Sequence, residues 1–283
     1  MIFNRCAFPG YVRVQLVGAM LATLAIWSCA IRPVPASGAE PAASGFTLFL
    51  IGDSTMADKP LIPANPERGW GQLLPMYFQR EVRIENHAVN GRSTKSFLDE
   101  GRWKTVTNRL KPGDYVIIQF GHNDEKKNDT NRYTEAFGSF KTNLTRFVRE
   151  TREHQAMPVL ATPVARRKFD DHGKLVDTHG DYVAAVRQVA QEQPAPLLDL
   201  NRRSSALLAQ LGPESAKRLF DWIPPGEFER DPKGLSDDTH FNAYGASRMC
   251  DLAVLEIETN APALARWLNC PPPVERTPTR SEK

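Results

Sequence analysis

Five short apolar segments recur along most of this chain, and they limit the folds it can adopt. They cover residues 46–51, 82–89, 115–120, 159–164 and 197–200. Each contains only four to eight residues, and all but the fourth are followed directly by Gly or Asn. Short runs that are apolar on both faces are typical of parallel strands covered on both sides of a sheet. We therefore predict five such strands.

Helical patterns lie between and after these segments. Apolar residues recur at steps of three and four in residues 133–155, 181–191 and 242–268, as in helices with one buried face. Strands that alternate with helices form a sheet with helices on both sides. We predict a single α/β domain over residues 44–268: a three-layer α/β/α sandwich around a five-stranded, mainly parallel sheet.

Composition excludes several other classes of protein. With 41% hydrophobic and 24% charged residues, the 283-residue chain is not disordered as a whole. Four cysteines are too few for a disulfide-rich scaffold. The net charge of +3, from 36 Lys and Arg against 33 Asp and Glu, forms no basic stripe. We therefore expect no nucleic-acid partner.

The first 39 residues differ from the rest of the chain. Arg5 and Arg13 precede an apolar run over residues 14–31, small residues follow it, and no acidic residue occurs before Glu40. This order is typical of a secretory signal peptide, so we predict export to the periplasm or the outside of the cell. An uncleaved membrane anchor is one alternative, because the run is long enough to span a bilayer. A lipoprotein attached through Cys29 is another.

The same segment holds the whole excess of positive charge. It contains three arginines and no acidic residue, which leaves 33 basic and 33 acidic residues in the rest of the chain. The exported domain is therefore near neutral. If it binds an acidic polymer, the attraction must come from a few local side chains.

Two cysteines remain after this segment, Cys250 and Cys270. They could form a disulfide in an oxidising compartment or remain as buried thiols, and both interpretations stay open. No Cys or His spacing of the kind found in zinc sites occurs, so we predict no metal. Residues 271–283 are rich in proline and polar side chains, and we expect a flexible tail there.

Residues with catalytic potential follow the predicted strands, where ligands bind in this class of fold. Residues 52–54 read Gly-Asp-Ser, residues 90–91 read Asn-Gly and residues 121–124 read Gly-His-Asn-Asp. Residues 237–240 read Asp-Asp-Thr-His and precede the last predicted helix. Each group alone has an ordinary explanation as a turn or a helix cap. A serine at a tight strand-to-helix turn also suits a nucleophile, and Ser54 lies at such a turn.

Together and in this order, the four groups resemble the conserved blocks of the SGNH (GDSL-type) hydrolases. The resemblance implies a flavodoxin-like fold and an esterase in which Ser54 is the nucleophile. It implies that His240 is the general base and that Asp237 orients the imidazole of His240. Asp238 is the alternative acid. The family spacing, with the acid three residues before the histidine, favours Asp237.

The resemblance also implies an oxyanion hole, the set of donors that stabilises the tetrahedral intermediate. Its donors would be the backbone N–H groups of Ser54 and Gly91 and the side-chain amide of Asn123. No cofactor is implied.

Within this superfamily the chain is most similar to the rhamnogalacturonan acetylesterases. The similar segments are residues 52–57, 69–72, 90–94, 118–124, 180–182, 198–201 and 238–242. The resemblance implies removal of acetyl groups from galacturonic acid residues of pectin, so the expected partner is an acetylated polysaccharide. Acetylated xylan, another glycan or a small ester are alternative substrates. A catalytically silent glycan-binding protein is the non-enzymatic alternative, and the presence of all five site residues argues against it.

Several side chains near the motifs could bind an anionic sugar polymer. Arg92 follows Gly91, and Arg166 and Arg167 follow the fourth predicted strand. Trp70 and His122 could line the pocket, although Trp70 suits a core position equally well. No long apolar lid flanks the motifs, which argues against a membrane substrate. The sequence predicts no particular oligomeric state.

Overall fold

The structure is a computed structural model and describes residues 45–269. All five predicted strands are present: β1 (Thr47–Gly52), β2 (Arg83–Asn86), β3 (Tyr115–Gln119), β4 (Met157–Ala161) and β5 (Leu197–Leu198). They form one sheet in the order β2-β1-β3-β4-β5, and every neighbouring pair is parallel. The predicted α/β fold with a five-stranded parallel sheet is therefore confirmed.

Eight α-helices surround the sheet in the described part of the chain. They are α1 (Trp70–Leu73), α2 (Thr94–Asp99), α3 (Arg102–Thr107), α4 (Lys141–Glu153), α5 (Asp181–Glu192), α6 (Leu200–Ala216), α7 (Ala243–Asn260) and α8 (Pro262–Ala265). Helices α1, α6, α7 and α8 cover one face of the sheet, and α2, α3, α4 and α5 cover the other. Three layers result, as predicted.

Strand β1 shows why the apolar runs are continuous. Leu48 and Leu50 pack into the core on the α7 side, while Phe49 and Ile51 pack into the core on the α4 side. All four are almost completely buried. Successive side chains of a strand point to opposite faces, so a strand covered on both sides needs an apolar residue at each position.

Two of the predicted helices differ from their expected form. The stretch 133–155 contains a short π-helix at Ala136–Phe140 before α4 begins. Residues 242–268 contain two helices, α7 and α8, so the prediction of one long helical stretch there was wrong. Ala261, directly before Pro262, has a non-helical backbone conformation (φ −131°, ψ 61°). Proline disfavours helical geometry in the residue before it, and this ends α7.

A β-hairpin that was not predicted follows α6. Strands β6 (Phe220–Ile223) and β7 (Leu235–Phe241) pair antiparallel and form a separate two-stranded sheet. Asp237 and His240 lie within β7, in an irregular stretch between the pairs Trp222–Ser236 and Phe220–Phe241. The β7 segment is mostly polar and lacks clear alternation, so its strand character depends on pairing with β6 and is not visible locally.

Several predictions concern residues outside 45–269. The signal segment 1–39, the tail 271–283 and Cys270 are among them, so these predictions stay open. Cys250 is buried in the core, and its thiol donates a hydrogen bond to the carbonyl of Trp70. Within the described range, no helix combines the length and the apolar character needed to cross a bilayer.

Candidate active site

Ser54 lies in the tight turn that follows β1, at the carboxyl edge of the sheet. Asp53 fixes this turn, because its Oδ1 accepts hydrogen bonds from the backbone N–H (2.9 Å) and the hydroxyl (2.8 Å) of Thr55. The Thr55 hydroxyl in turn accepts a hydrogen bond from the side-chain amide of Gln119 on β3 (2.7 Å). The turn that carries Ser54 is therefore held by buried polar contacts with the end of β3.

His240 and Asp237 complete a hydrogen-bonded chain with Ser54. Nε2 of His240 lies 2.8 Å from Oγ of Ser54, and Nδ1 lies 2.7 Å from Oδ2 of Asp237. A carboxylate can only accept, so Nδ1 carries the proton and the free lone pair of Nε2 faces the serine hydroxyl. This is the tautomer that can remove a proton from Ser54.

Asp237 is held as an ionised carboxylate. Its Oδ1 accepts hydrogen bonds from the backbone N–H groups of Thr239 (2.6 Å) and His240 (2.8 Å). Partial burial raises its pKa, but the hydrogen bonds from the His240 ring and these N–H groups outweigh that effect. They lower the pKa of Asp237 to about 2. The negative charge is therefore present at neutral pH and can stabilise a protonated imidazole.

The alternative acid, Asp238, lies elsewhere. Its Oδ1 is 2.5 Å from Nη1 of Arg167 and accepts a hydrogen bond from Nε1 of Trp222 (3.0 Å). The Arg167 guanidinium also lies over the Trp222 ring, 4.9 Å from its centroid. Residues 237–240 lie in the irregular part of β7, between the pairs Trp222–Ser236 and Phe220–Phe241, where regular strand alternation does not apply. The acid in contact with the imidazole is Asp237.

Among the described residues, each of the three expected oxyanion donors has a hydrogen that no protein acceptor uses. Within residues 45–269, the backbone N–H groups of Ser54 and Gly91 donate to no protein acceptor. The Asn123 amide uses one hydrogen on the carbonyl of Arg92 (3.1 Å), which leaves the other available. Gly91 has a φ of +76°, in the left-handed region that favours glycine. Their role as an oxyanion hole stays a prediction.

Asp124 connects the loops that carry these donors. It is fully buried and accepts hydrogen bonds from the backbone N–H (3.0 Å) and hydroxyl (2.6 Å) of Thr94 and from the hydroxyl of Thr134 (2.8 Å). Burial raises the pKa of Asp124 to about 7, even though these hydrogen bonds oppose the increase. The loops after β2 and β3 are thereby tied together beside Asn123.

His122 is buried beside the nucleophile turn. It is 3% exposed, and its Nδ1 is 3.2 Å from Oδ2 of Asp53. The two groups are poorly aligned for a hydrogen bond, so the contact is mainly coulombic. Burial lowers the pKa of His122 to about 4, and the attraction to Asp53 offsets this only in part. The ring of His122 is thus buried beside Asp53, and a contact with substrate stays a prediction.

The other predicted substrate-binding residues are buried or paired with side chains of the protein itself. Trp70 is completely buried, and its Nε1 donates to Oε1 of Gln119 (2.8 Å), so it is a core residue and cannot line the pocket. Each predicted arginine has a carboxylate partner: Arg92 with Glu100, Arg166 with Glu125 and Arg167 with Asp238. Arg92 is the most exposed of the three, at 32% of its side chain. It remains the most accessible candidate.

Sequence reasoning missed Arg132. Its Nη1 donates to Oδ1 of Asn123 (3.3 Å) and approaches Gly91, so it lies beside two of the expected oxyanion donors. No local motif marks this residue, since the contact depends on the path of the loop after β3. Among the described residues, no group of three or more His, Cys, Asp or Glu side chains is arranged to hold a metal ion.

Residues 50–248 match the model of the GDSL-like Lipase/Acylhydrolase family. The chain belongs to this family. It is 41% identical to the rhamnogalacturonan acetylesterase RhgT of Bacillus subtilis (strain 168) over 211 residues, which cover 75% of this chain and 89% of that protein. The resemblance found in the sequence is therefore confirmed, and the chain is a serine hydrolase of carboxylic esters.

Solved structures agree with the fold. The crystal structure of protein YxiM from Bacillus subtilis has a TM-score of 0.65 at 28% identity, and the match covers 76% of this chain and 56% of that one. This chain therefore spans little more than half of that protein. Axe2, an acetylxylan esterase from Geobacillus stearothermophilus, has a TM-score of 0.56 at 19% identity, over 76% of this chain and 94% of its own. At that identity the likeness concerns the fold alone.

The contacts of the two aspartates predict different effects of their replacement. In Asp237→Asn, the amide no longer stabilises the protonated imidazole or fixes the reactive tautomer, so kcat should fall by about 10⁴-fold. In Asp238→Asn, only the contact with Arg167 and Trp222 is weakened, and kcat should stay within about tenfold of the native value. Turnover of p-nitrophenyl acetate by the two matched variants measures the difference. An equal or larger loss in Asp238→Asn would contradict the assignment.

Proposed function

We propose that this protein is a secreted carbohydrate O-acetylesterase that removes acetyl groups from a pectin-type polysaccharide, rhamnogalacturonan, by a Ser-His-Asp mechanism. The proposal is carried by the continuous hydrogen-bonded chain from Asp237 through His240 to Ser54. It is supported by the similarity to RhgT, whose name states that activity.

The first half of the proposed reaction transfers the acetyl group to the enzyme. Ser54 Oγ attacks the carbonyl carbon of the acetyl ester while Nε2 of His240 takes the serine proton. The carboxylate of Asp237 stabilises the imidazolium that forms. When the tetrahedral intermediate collapses, the bond from the carbonyl carbon to the sugar oxygen breaks. His240 returns the proton to that oxygen, which leaves as a hydroxyl.

The second half releases acetate. A water molecule gives a proton to His240 and attacks the acetyl-Ser54 ester, and collapse of the second intermediate restores the serine hydroxyl. In both halves the negative oxygen needs donors already in position. The N–H groups of Ser54 and Gly91 and the amide of Asn123 have free hydrogens for this purpose. Loss of one such donor typically costs ~10²–10³-fold in kcat.

The alternatives have less support. An acetylxylan esterase is suggested only by a fold-level likeness, whereas the relative that is named for rhamnogalacturonan shares 41% of its aligned residues. A silent binding protein would not need an imidazole with its free nitrogen 2.8 Å from a serine hydroxyl.

Recognition of the uronate carboxylate is proposed to be local. Arg92 follows Gly91 and is paired with Glu100, and the two side chains are 32% and 36% exposed. Exposed ion pairs contribute at most about 1 kcal/mol, so a substrate carboxylate can replace Glu100 as the partner of Arg92. Arg166 and Arg167 are less exposed and are held by their own carboxylates.

Export is part of the proposal, because a polysaccharide substrate is outside the cell. It rests on the basic, apolar and small-residue order of the first 39 residues. We expect the full chain, expressed with its N-terminus intact, to be recovered outside the cytoplasm. The N-terminal sequence of that protein should begin after the apolar run. Recovery of the full-length protein from the cytoplasm alone would contradict export.

The substrate assignment predicts the order of acetate release. Acetylated rhamnogalacturonan should release acetate faster than acetylated xylan at equal acetyl concentration, because its carboxylates pair with Arg92 beside the site. Ser54→Ala is the matched control and should release none from either polymer above the blank. Enzymatic determination of acetate gives both rates. Faster release from xylan would reject the substrate, and unchanged release by Ser54→Ala would reject the mechanism.

A further inference from the structure

We propose that Arg132 is a positioning residue that fixes the Asn123 amide in the orientation needed for the oxyanion hole. The inference rests on the proposed mechanism, because it gives Asn123 a role in stabilising the oxyanion. It concerns a side chain in the loop after β3 that no sequence motif indicated.

The Asn123 amide is held at both ends. Nη1 of Arg132 donates to its Oδ1 (3.3 Å), and its Nδ2 donates to the carbonyl of Arg92 (3.1 Å). A guanidinium has only donors, so the amide oxygen must face Arg132. A carbonyl only accepts, so the nitrogen must face Arg92. Both contacts require the same orientation of the amide and leave one N–H hydrogen unused.

Without Arg132, only one of these contacts would define the amide. The side chain could then rotate about its last bond and present its oxygen to the developing oxyanion, which is repulsive. An oxyanion donor contributes to kcat only when it is already aimed at the position that the charge will occupy. Small misplacements of catalytic groups can cost about 10²-fold in rate.

Arg132 is itself fixed. Oδ2 of Asp129 lies 2.5 Å from both Nε and Nη2 of Arg132, which leaves Nη1 for Asn123. The backbone N–H groups of Arg132 (3.0 Å) and Tyr133 (2.7 Å) donate to the carbonyl of Asp129. The carboxylate therefore holds the flat guanidinium at one edge while its other edge contacts the amide, a division that a lysine ammonium could not reproduce.

The guanidinium of Arg132 also lies close to Gly91. A Cβ atom at Gly91 would lie 3.6 Å from Nη1 of Arg132. A permanent positive charge thus lies beside two of the three expected donors. Asp129 offsets part of this charge, so we assign the main effect to orientation and a smaller one to electrostatic attraction of the oxyanion.

The ordinary alternative is a surface ion pair without a function. Arg132 and Asp129 are three residues apart, and their side chains are 31% and 30% exposed. An ion pair of that kind contributes little to stability and nothing to kcat. The two interpretations therefore differ in what happens to kcat when the guanidinium is removed.

A double-mutant cycle on p-nitrophenyl acetate tests the proposal. Arg132→Met keeps an unbranched apolar stem but removes the guanidinium donors, and it should lower kcat about tenfold or more while KM stays within about twofold. Asn123→Ala should lower kcat by ~10²–10³-fold. In the double variant, kcat should equal that of Asn123→Ala within about threefold, because Arg132 acts through the missing amide. Arg146→Met, on the exposed side of α4 and paired with Glu150, is the matched control and should keep native kcat.

The outcomes separate this inference from the proposed function. An unchanged kcat in Arg132→Met, or losses that multiply in the double variant, would overturn the role of Arg132. Native activity in Asn123→Ala would overturn the oxyanion hole itself, and native activity in Ser54→Ala would overturn the mechanism. The ester is a small molecule, so a wrong polysaccharide assignment leaves the test intact.

Asp129→Asn provides a second variant if Arg132→Met shows no cooperative thermal unfolding. It retains the guanidinium but weakens the contact that holds it, so kcat should fall several-fold with KM unchanged. That loss should disappear in the Asn123→Ala background. A native kcat in Asp129→Asn would count against the proposal.

Discussion

The hydrogen bond between Nε2 of His240 and Oγ of Ser54 joins two distant parts of the chain, and the site depends on it. Ser54 is fixed by the sheet, and His240 lies on the β6–β7 hairpin, so the hairpin must be held against the sheet edge. The backbone N–H of Arg68 donates to the carbonyl of Phe241 (2.8 Å), and the Phe241 side chain is buried in the core. The buried Phe241 side chain fixes the end of β7 directly after His240, whose imidazole contacts Ser54.

Helix α7 completes this attachment. The side chain of Asn242 accepts a hydrogen bond from the N–H of Gly245 and so caps the helix directly after the strand. A Cβ atom at Gly245 would lie 1.8 Å from the carbonyl oxygen of Leu219, so only glycine permits this close approach. The imidazole is therefore positioned by a buried aromatic ring and a capped helix, neither of which takes part in the chemistry.

The sequence could predict the strands and the contacts that lie within short segments. Five apolar runs became five parallel strands because a sheet covered on both faces needs apolar residues throughout. The contact of Asp237 with His240 was implied by the resemblance to the SGNH hydrolases, in which the acid lies three residues before the histidine. The contacts between separate segments were not accessible from the sequence. The hairpin depends on the pairing of the mostly polar β7 with β6, Trp70 is buried by the packing of several elements, and Arg132 reaches Asn123 through the path of a loop. Sequence-based interpretation also left the arginines unpaired, since their carboxylate partners lie in other loops.

The central claim is that Ser54 forms a covalent bond with the substrate. An organophosphate ester, diethyl p-nitrophenyl phosphate, tests this bond because a serine nucleophile displaces its p-nitrophenolate group. The diethylphosphoryl-serine that forms is tetrahedral at phosphorus and is stable. We expect one diethylphosphoryl group per chain, found by mass spectrometry on the peptide that contains Ser54, with activity lost in parallel. Ser54→Ala should remain unlabelled. Loss of activity with Ser54 unmodified, or labelling at another residue, would contradict the assignment of Ser54 as the nucleophile.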